Sequence, residues 1–125
     1  MKYRLVWNIG LICWAILIFV LCTMPAPKVD EKVLIPHLDK IAHFGLFFVF
    51  SILFLRFLEI SRGVSRTLYT GIVLIIVAIY GGIIEWLQES YFHRSADIFD
   101  WGADMIGAIA GIVFYFLMYK YLVKS

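Results

Sequence analysis

Four apolar runs set the frame of this chain: Leu5 to Cys22, Ile41 to Leu58, Leu68 to Leu87 and Trp101 to Tyr119. Each is close to the roughly 20 residues with which an α-helix, rising about 1.5 Å per residue, crosses a hydrocarbon core of about 30 Å. None alternates polar and apolar residues as a half-buried strand does, and in lipid only helices and closed barrels satisfy their own backbone groups. With 63% hydrophobic residues, 18% aromatic residues and a mean hydropathy of +0.93, too little polar surface remains for a soluble fold. The expected fold class is all-α: a polytopic bundle of four transmembrane helices forming a single domain over residues 1–125.

The connections read as interfacial loops. The stretch from Thr23 to Leu38 contains Pro25, Pro27 and Pro36, which remove helix donors, and Glu59 to Arg66 contains Gly63 and two serines. Tyr91 to Asp100 is more polar than a tight turn requires. Lys2 and Arg4 before the first run also resemble a signal peptide, but no small-x-small cleavage pattern follows, so a retained helix is expected. Cys13 and Cys22 lie within that run as small hydrophobes, without zinc or disulfide spacing. A net charge of +2, with the cations scattered, gives no nucleic-acid footprint.

Orientation follows from the basic residues. Lys2, Arg4, Arg56, Arg62, Arg66, Lys120 and Lys124 fall on one side, against Lys28, Lys32, Lys40 and Arg94 on the other. The excess places both termini in the cytoplasm. The polar ends of three helices then meet in the outer leaflet: Asp39, Lys40 and His43 open the second helix, Glu85, Gln88 and Glu89 close the third, and Asp97, Asp100 and Asp104 open the fourth.

Charge at membrane depth costs at least about 2.5 kcal/mol per residue on the lenient insertion scale, so these groups need partners. At 100° per residue Asp97, Asp100 and Asp104 share a stripe with Gly107 and Gly111, whose small-xxx-small spacing allows close helix approach. Ala78, Gly81, Glu85 and Gln88 form one face of the third helix, and Asp39, His43 and Phe50 one face of the second. Phe44, Phe48, Phe54 and Phe57 read as packing or lipid-facing bulk. The simplest convergence is an outward-facing pocket lined by Asp39, His43, Glu85, Gln88, Arg94, Asp97, Asp100 and Asp104. Six carboxylates, with Glu89 included, face Lys40 and Arg94, leaving an excess of four negative charges that calls for protons, imidazolium or a cation.

Each residue has a plainer role beside the functional one. Asp39 can complement the helix dipole, Lys40 can snorkel, Asp97 can cap its helix and Arg94 can pair within the loop. Glu85 and Asp104 are harder to assign to structure, since each lies about a turn inside the interface. Glu85, Asp100 and His43 are candidates for acid–base catalysis, and His43, Glu85, Asp100 and Asp104 for a divalent cation. Ser90 and Ser95 lack the elbow or triad order of a nucleophile.

The run Asp39-Lys40-x-x-His43-Phe44, followed by Glu85-x-x-Gln88, Arg94, Asp97, Asp100, Gly107 and Gly111, resembles the signatures of the VanZ-like membrane proteins over nearly the whole chain. That family is named after a protein linked to teicoplanin resistance in Gram-positive bacteria. Its pattern usually has Asn where this chain has Asp104. The resemblance implies a four-helix protein of the bacterial cell membrane with an envelope-related role, and brings no established reaction. The resulting expectation is recognition of a lipid-linked head group or a lipoglycopeptide-type compound by the outward pocket. The alternatives are an intramembrane enzyme acting on a lipid head group, and, more weakly, a proton or cation pathway. The expected partners are the bilayer and such a ligand.

Overall fold

The computed structural model describes residues 2–24, 37–61, 65–92 and 96–124. They form four α-helices: α1 (Lys2–Thr23), α2 (Leu38–Ser61), α3 (Arg66–Ser90) and α4 (Ile98–Lys124). All four are long and apolar enough to cross a membrane, and this is the fold of a multi-pass membrane protein.

Every helix outruns its apolar stretch, so the expected bounds near 5–22, 41–58, 68–87 and 101–119 are too short. Hydropathy marks the part of a helix that sits in hydrocarbon, whereas backbone hydrogen bonding continues through the interface, where polar side chains are solvated. The extensions carry the chemistry. Asp39 and Lys40 lie in the first turn of α2, Gln88 in the last turn of α3 and Asp100 in the first turn of α4. Two ends are capped by side chains: Ser65 accepts from the Leu68 N–H at the start of α3, and Asp97 Oδ1 accepts from the Phe99 N–H, 2.8 Å away, at the start of α4.

The interior is an apolar column built from Ile18 of α1, Phe47 and Leu55 of α2, Val73, Val77 and Ile84 of α3, and Ala108 of α4. The α2–α4 interface is the most extensive, while α1 packs on α2 and α3 and makes no contact with α4 among the described residues. Gly107 and Gly111 explain the closeness of α2 and α4. A Cβ on Gly107 would run into the Phe44 carbonyl oxygen, and one on Gly111 into the Ser51 hydroxyl and the Phe48 carbonyl oxygen. Phe48 meets Phe114 of α4 in a tilted ring contact at 5.5 Å, so part of the phenylalanine series packs within the bundle.

α1 presents Leu5, Ile9, Ile12 and Ile16 outward and is tied in by polar contacts to backbone carbonyls. Trp14 Nε1 donates to Leu46 O at 2.8 Å, Tyr80 Oη to Ala15 O, and Gln88 Nε2 to Cys22 O. The opposite end of the bundle has its own polar group, where Glu59 accepts from Arg56 and from the Tyr115 hydroxyl.

Candidate functional site

The start of α2, the end of α3 and the start of α4 meet at one end of the bundle. The meeting is organised around Asp97, which as N-cap of α4 spends Oδ1 on the Phe99 N–H and leaves Oδ2 to accept from Lys40 at 2.9 Å. Its own N–H donates to Glu85 Oε2, also at 2.9 Å, which stitches the end of α3 to the start of α4. The hydrogen bond from Lys40 holds the Asp97 carboxyl below the usual carboxylate range.

Among the described residues Lys40 is the cation of the outer layer. Its ammonium lies 2.9 Å from Asp97, 3.3 Å from Asp100 and 3.5 Å from Asp39, so one positive charge serves three carboxylates. Sequence reasoning left Lys40 outside the candidate set, as a snorkelling residue. The available signal was the acidic excess itself, which required a cation, with Lys40 adjacent to Asp39 on the helix that also carries His43.

A turn deeper lies a second layer. His43 Nδ1 is 2.7 Å from Asp104 Oδ1, and His43 Nε2 is 3.9 Å from Asp100 Oδ2. His43, Glu85, Asp100 and Asp104 are all buried, Asp104 completely. Two carboxylate oxygens, Glu85 Oε1 and Asp104 Oδ2, are buried with no hydrogen-bond partner among the described residues. Gly81, one turn before Glu85 on α3, makes room for the second of these, since a Cβ there would stand 2.6 Å from Asp104 Oδ2. Trp101 closes that side by donating its indole N–H to Ala78 O at 3.0 Å.

The six candidates Asp39, His43, Glu85, Asp97, Asp100 and Asp104 are thus brought together, in two trios of potential ligand atoms. One is His43, Glu85 and Asp104, and the other Asp39, Asp97 and Asp100; within each trio the atoms lie within 4.8 Å of one another. Gln88 is buried at the same end, with its amide N–H used on the Cys22 carbonyl of α1. Arg94 lies outside the described residues, as do His93 and Ser95.

The expected single open pocket is replaced by a packed polar cluster with clefts along its flanks. One cleft of about 500 Å³ runs between α1 and α2 from Leu21 and Ile41 to His43. Another of about 560 Å³ reaches Glu85 and Asp97 beside Ile98 and Trp101, and a third of about 580 Å³ reaches Lys40 beside Phe99 and Ile106. Their walls are mostly apolar and include side chains on the bundle's outer surface, such as Ile41, Ile98 and Phe99. An arrangement of this kind can hold a charged or hydrogen-bonding group at its polar end and hydrocarbon along its walls.

Comparison with known proteins agrees with the resemblance seen in the signatures. The sequence profile of the VanZ/LLP1 family matches residues 7–119. An uncharacterized protein of Schizosaccharomyces pombe is 26% identical over 87 residues, which cover 69% of this chain and 51% of that protein. The chain therefore spans about half the length of the curated relative it matches. No solved structure matches.

Proposed function

The chain belongs to the VanZ/LLP1 family, and we propose that it binds the polar head group of an envelope amphiphile, a lipid-linked precursor or a lipoglycopeptide-type compound, at the cluster of Asp39, His43, Glu85, Gln88, Asp97, Asp100 and Asp104, with Arg94, outside the described residues, as a further head-group contact. The observation that carries the reading is the pairing of apolar clefts with a buried polar end. A soluble ligand would not need walls of Ile41, Ile98, Phe99 and Trp101, and a bare hydrocarbon chain would not need Glu85 and Asp97. In this reading the protein sits in a bacterial cell membrane with its termini in the cytoplasm and the cluster facing outward, as the distribution of Lys and Arg supports. The link of the family's namesake to teicoplanin supports an envelope ligand.

The test is binding of a photoactivatable lipid-linked head group or lipoglycopeptide to purified protein in nanodiscs, paired with drug susceptibility of cells that express it. Glu85→Gln and Asp100→Asn are expected to reduce labelling and to raise susceptibility toward that of cells lacking the protein, while the variant still accumulates in the membrane. Equal labelling and equal susceptibility across wild type and both variants would refute the proposal.

A second reading is favoured by one contact. Asp104 holds His43 at Nδ1 and leaves Nε2 toward Asp100, the arrangement by which a carboxylate orients an imidazole for proton transfer. With Glu85 or Asp100 as further acid or base, the same site would act on the head group. Turnover of a lipid substrate by purified protein, lost in Glu85→Gln, would establish it, and saturable binding without turnover would discard it.

A further inference from the structure

We infer that the deeper trio, His43, Glu85 and Asp104, holds a divalent transition-metal ion of the Zn²⁺ or Mn²⁺ class, which presents an open coordination position to the amphiphile head group. The inference rests on the binding role proposed above, and adds the ion that such a role needs. Two fully or nearly fully buried carboxylates, Glu85 at 7% exposure and Asp104 at 0%, each carry an oxygen without a hydrogen-bond partner among the described residues. Leaving such an acceptor buried and unmet costs several times an ordinary hydrogen bond when the group is charged. Both belong to the same trio as the buried imidazole of His43, and Gly81 leaves the space that Asp104 Oδ2 occupies.

The spacing fits an ion. Ligands bound at about 2.0–2.2 Å from a metal lie no more than about 4.4 Å apart, so atoms within 4.8 Å need to close by only a few tenths of an ångström. One imidazole and two carboxylates suit Zn²⁺ or Mn²⁺, whereas Ca²⁺ takes six to eight oxygens and the trio offers too few. The outer trio is different in kind. Asp39, Asp97 and Asp100 already share the Lys40 ammonium, and none of their oxygens is buried without a partner among the described residues. Glu85 and Asp97 also line the cleft beside Trp101, which places the fourth position of an ion on Glu85 within reach of an entering group. A phosphate oxygen, which an acidic cluster would otherwise repel, would then bind through the ion.

The experiment uses the full chain, tag removed, in nanodiscs after metal stripping, titrated with Mn²⁺ and with Zn²⁺ in competition. Wild type is expected to take up one ion per chain and to show ¹⁴N coupling from His43 in the pulsed electron paramagnetic resonance of bound Mn²⁺. Asp104→Asn should weaken binding at least ten-fold, His43→Gln should remove the nitrogen coupling, and Glu59→Gln, a carboxylate change at the opposite end of the bundle, should leave both unchanged. No stoichiometric ion on folded wild type, or equal affinity in Asp104→Asn, overturns the inference, and the first of these needs no variant to fold. Head-group labelling repeated with a chelator separates the two proposals: labelling that persists while no ion binds refutes the metal and leaves the binding role standing.

Discussion

Gly107→Ala adds one methyl group to a close backbone contact between α2 and α4, and its cost can be worked from the neighbours of that methyl. The new Cβ would meet Phe44 C and Cα at 3.0 Å and the Phe44 carbonyl oxygen closer still. The optimal separation of such atoms is about 3.5–4.0 Å, so α2 and α4 must part by roughly 0.5–1 Å. The obstructing atoms are backbone and cannot rotate aside, which places the cost at the upper end of the range for overpacking, about 2–3 kcal/mol. Gly45→Ala on α2 is the matched control, because nothing lies within 4 Å of a Cβ there. It should be neutral or stabilise by up to about 1 kcal/mol through helix propensity. The parting also reaches the site, since Phe44 adjoins His43 and Gly107 is one turn from Asp104. A shift of that size would lengthen the His43–Asp104 contact from 2.7 Å to about 3.2–3.7 Å, at or past the limit of a hydrogen bond. Reversible unfolding in bicelles, followed by tryptophan fluorescence, measures the difference between the two alanine variants. Equal stability of Gly107→Ala and Gly45→Ala would refute the argument that the glycine sets the helix separation.

Lys40→Met leaves Asp39, Asp97 and Asp100 without their shared cation, so its melting temperature should fall below wild type and recover in part in Lys40→Met with Asp100→Asn. Asp97 gives a pH signature. Its carboxyl titrates lower in the folded protein than in the unfolded chain, so its stabilisation is present above the unfolded value of about 3.9 and is lost as pH falls through the folded value. The melting difference between wild type and Asp97→Asn, which keeps the cap, should therefore be constant from pH 5 to 8 and vanish at more acid pH. Trp14→Phe and Tyr80→Phe each remove a hydrogen bond from α1, at about 1 kcal/mol apiece, and hydrogen exchange should quicken in α1 ahead of α2 and α4.

Much of the architecture is legible in the sequence because bilayer solvation leaves little choice: a long apolar run must be a helix, and a carboxylate within it must face its fellows. Helical periodicity therefore brings His43, Glu85, Asp100 and Asp104 into one buried cluster, and it places Gly107 and Gly111 on the close face of α4. What periodicity does not contain is the height and rotation of one helix against another. Lys40 looks like an interfacial anchor until α4 is set beside α2 at the level where Asp97 caps it. That Gln88 also ties the site to α1 is not readable until the end of α1 supplies the Cys22 carbonyl. Gly81 has a reason only once Asp104 of another helix is known to point at it. Nor does a list of polar residues on converging faces say how much of the space between them their own side chains fill.

The two polar ends of the bundle also bear on whether it conducts. Along α2 the site at His43 and the group at Glu59 are sixteen residues apart, roughly 24 Å of helix. Between them the described core is Phe47, Phe50, Leu55, Val73, Val77 and Ala108, all buried and apolar. Ser51 is the buried hydroxyl on that path, and its O–H is already given to Phe48 O at 2.8 Å. At the far end Glu59 accepts from Arg56 and from the Tyr115 hydroxyl. A proton or ion route would need polar groups or water at intervals of a few ångströms through this column. Among the described residues this apolar column separates the deeper trio from Glu59, and the cleft that reaches Glu85 lies on the flank of the bundle. If that is right, Phe47→Ser and Val77→Ser, which open the column, should not change head-group labelling, while Trp101→Ala, which opens the cleft beside Glu85, should. Proton flux through wild-type proteoliposomes, abolished by Asp104→Asn, would be the opposite result and would return the site to a transport role.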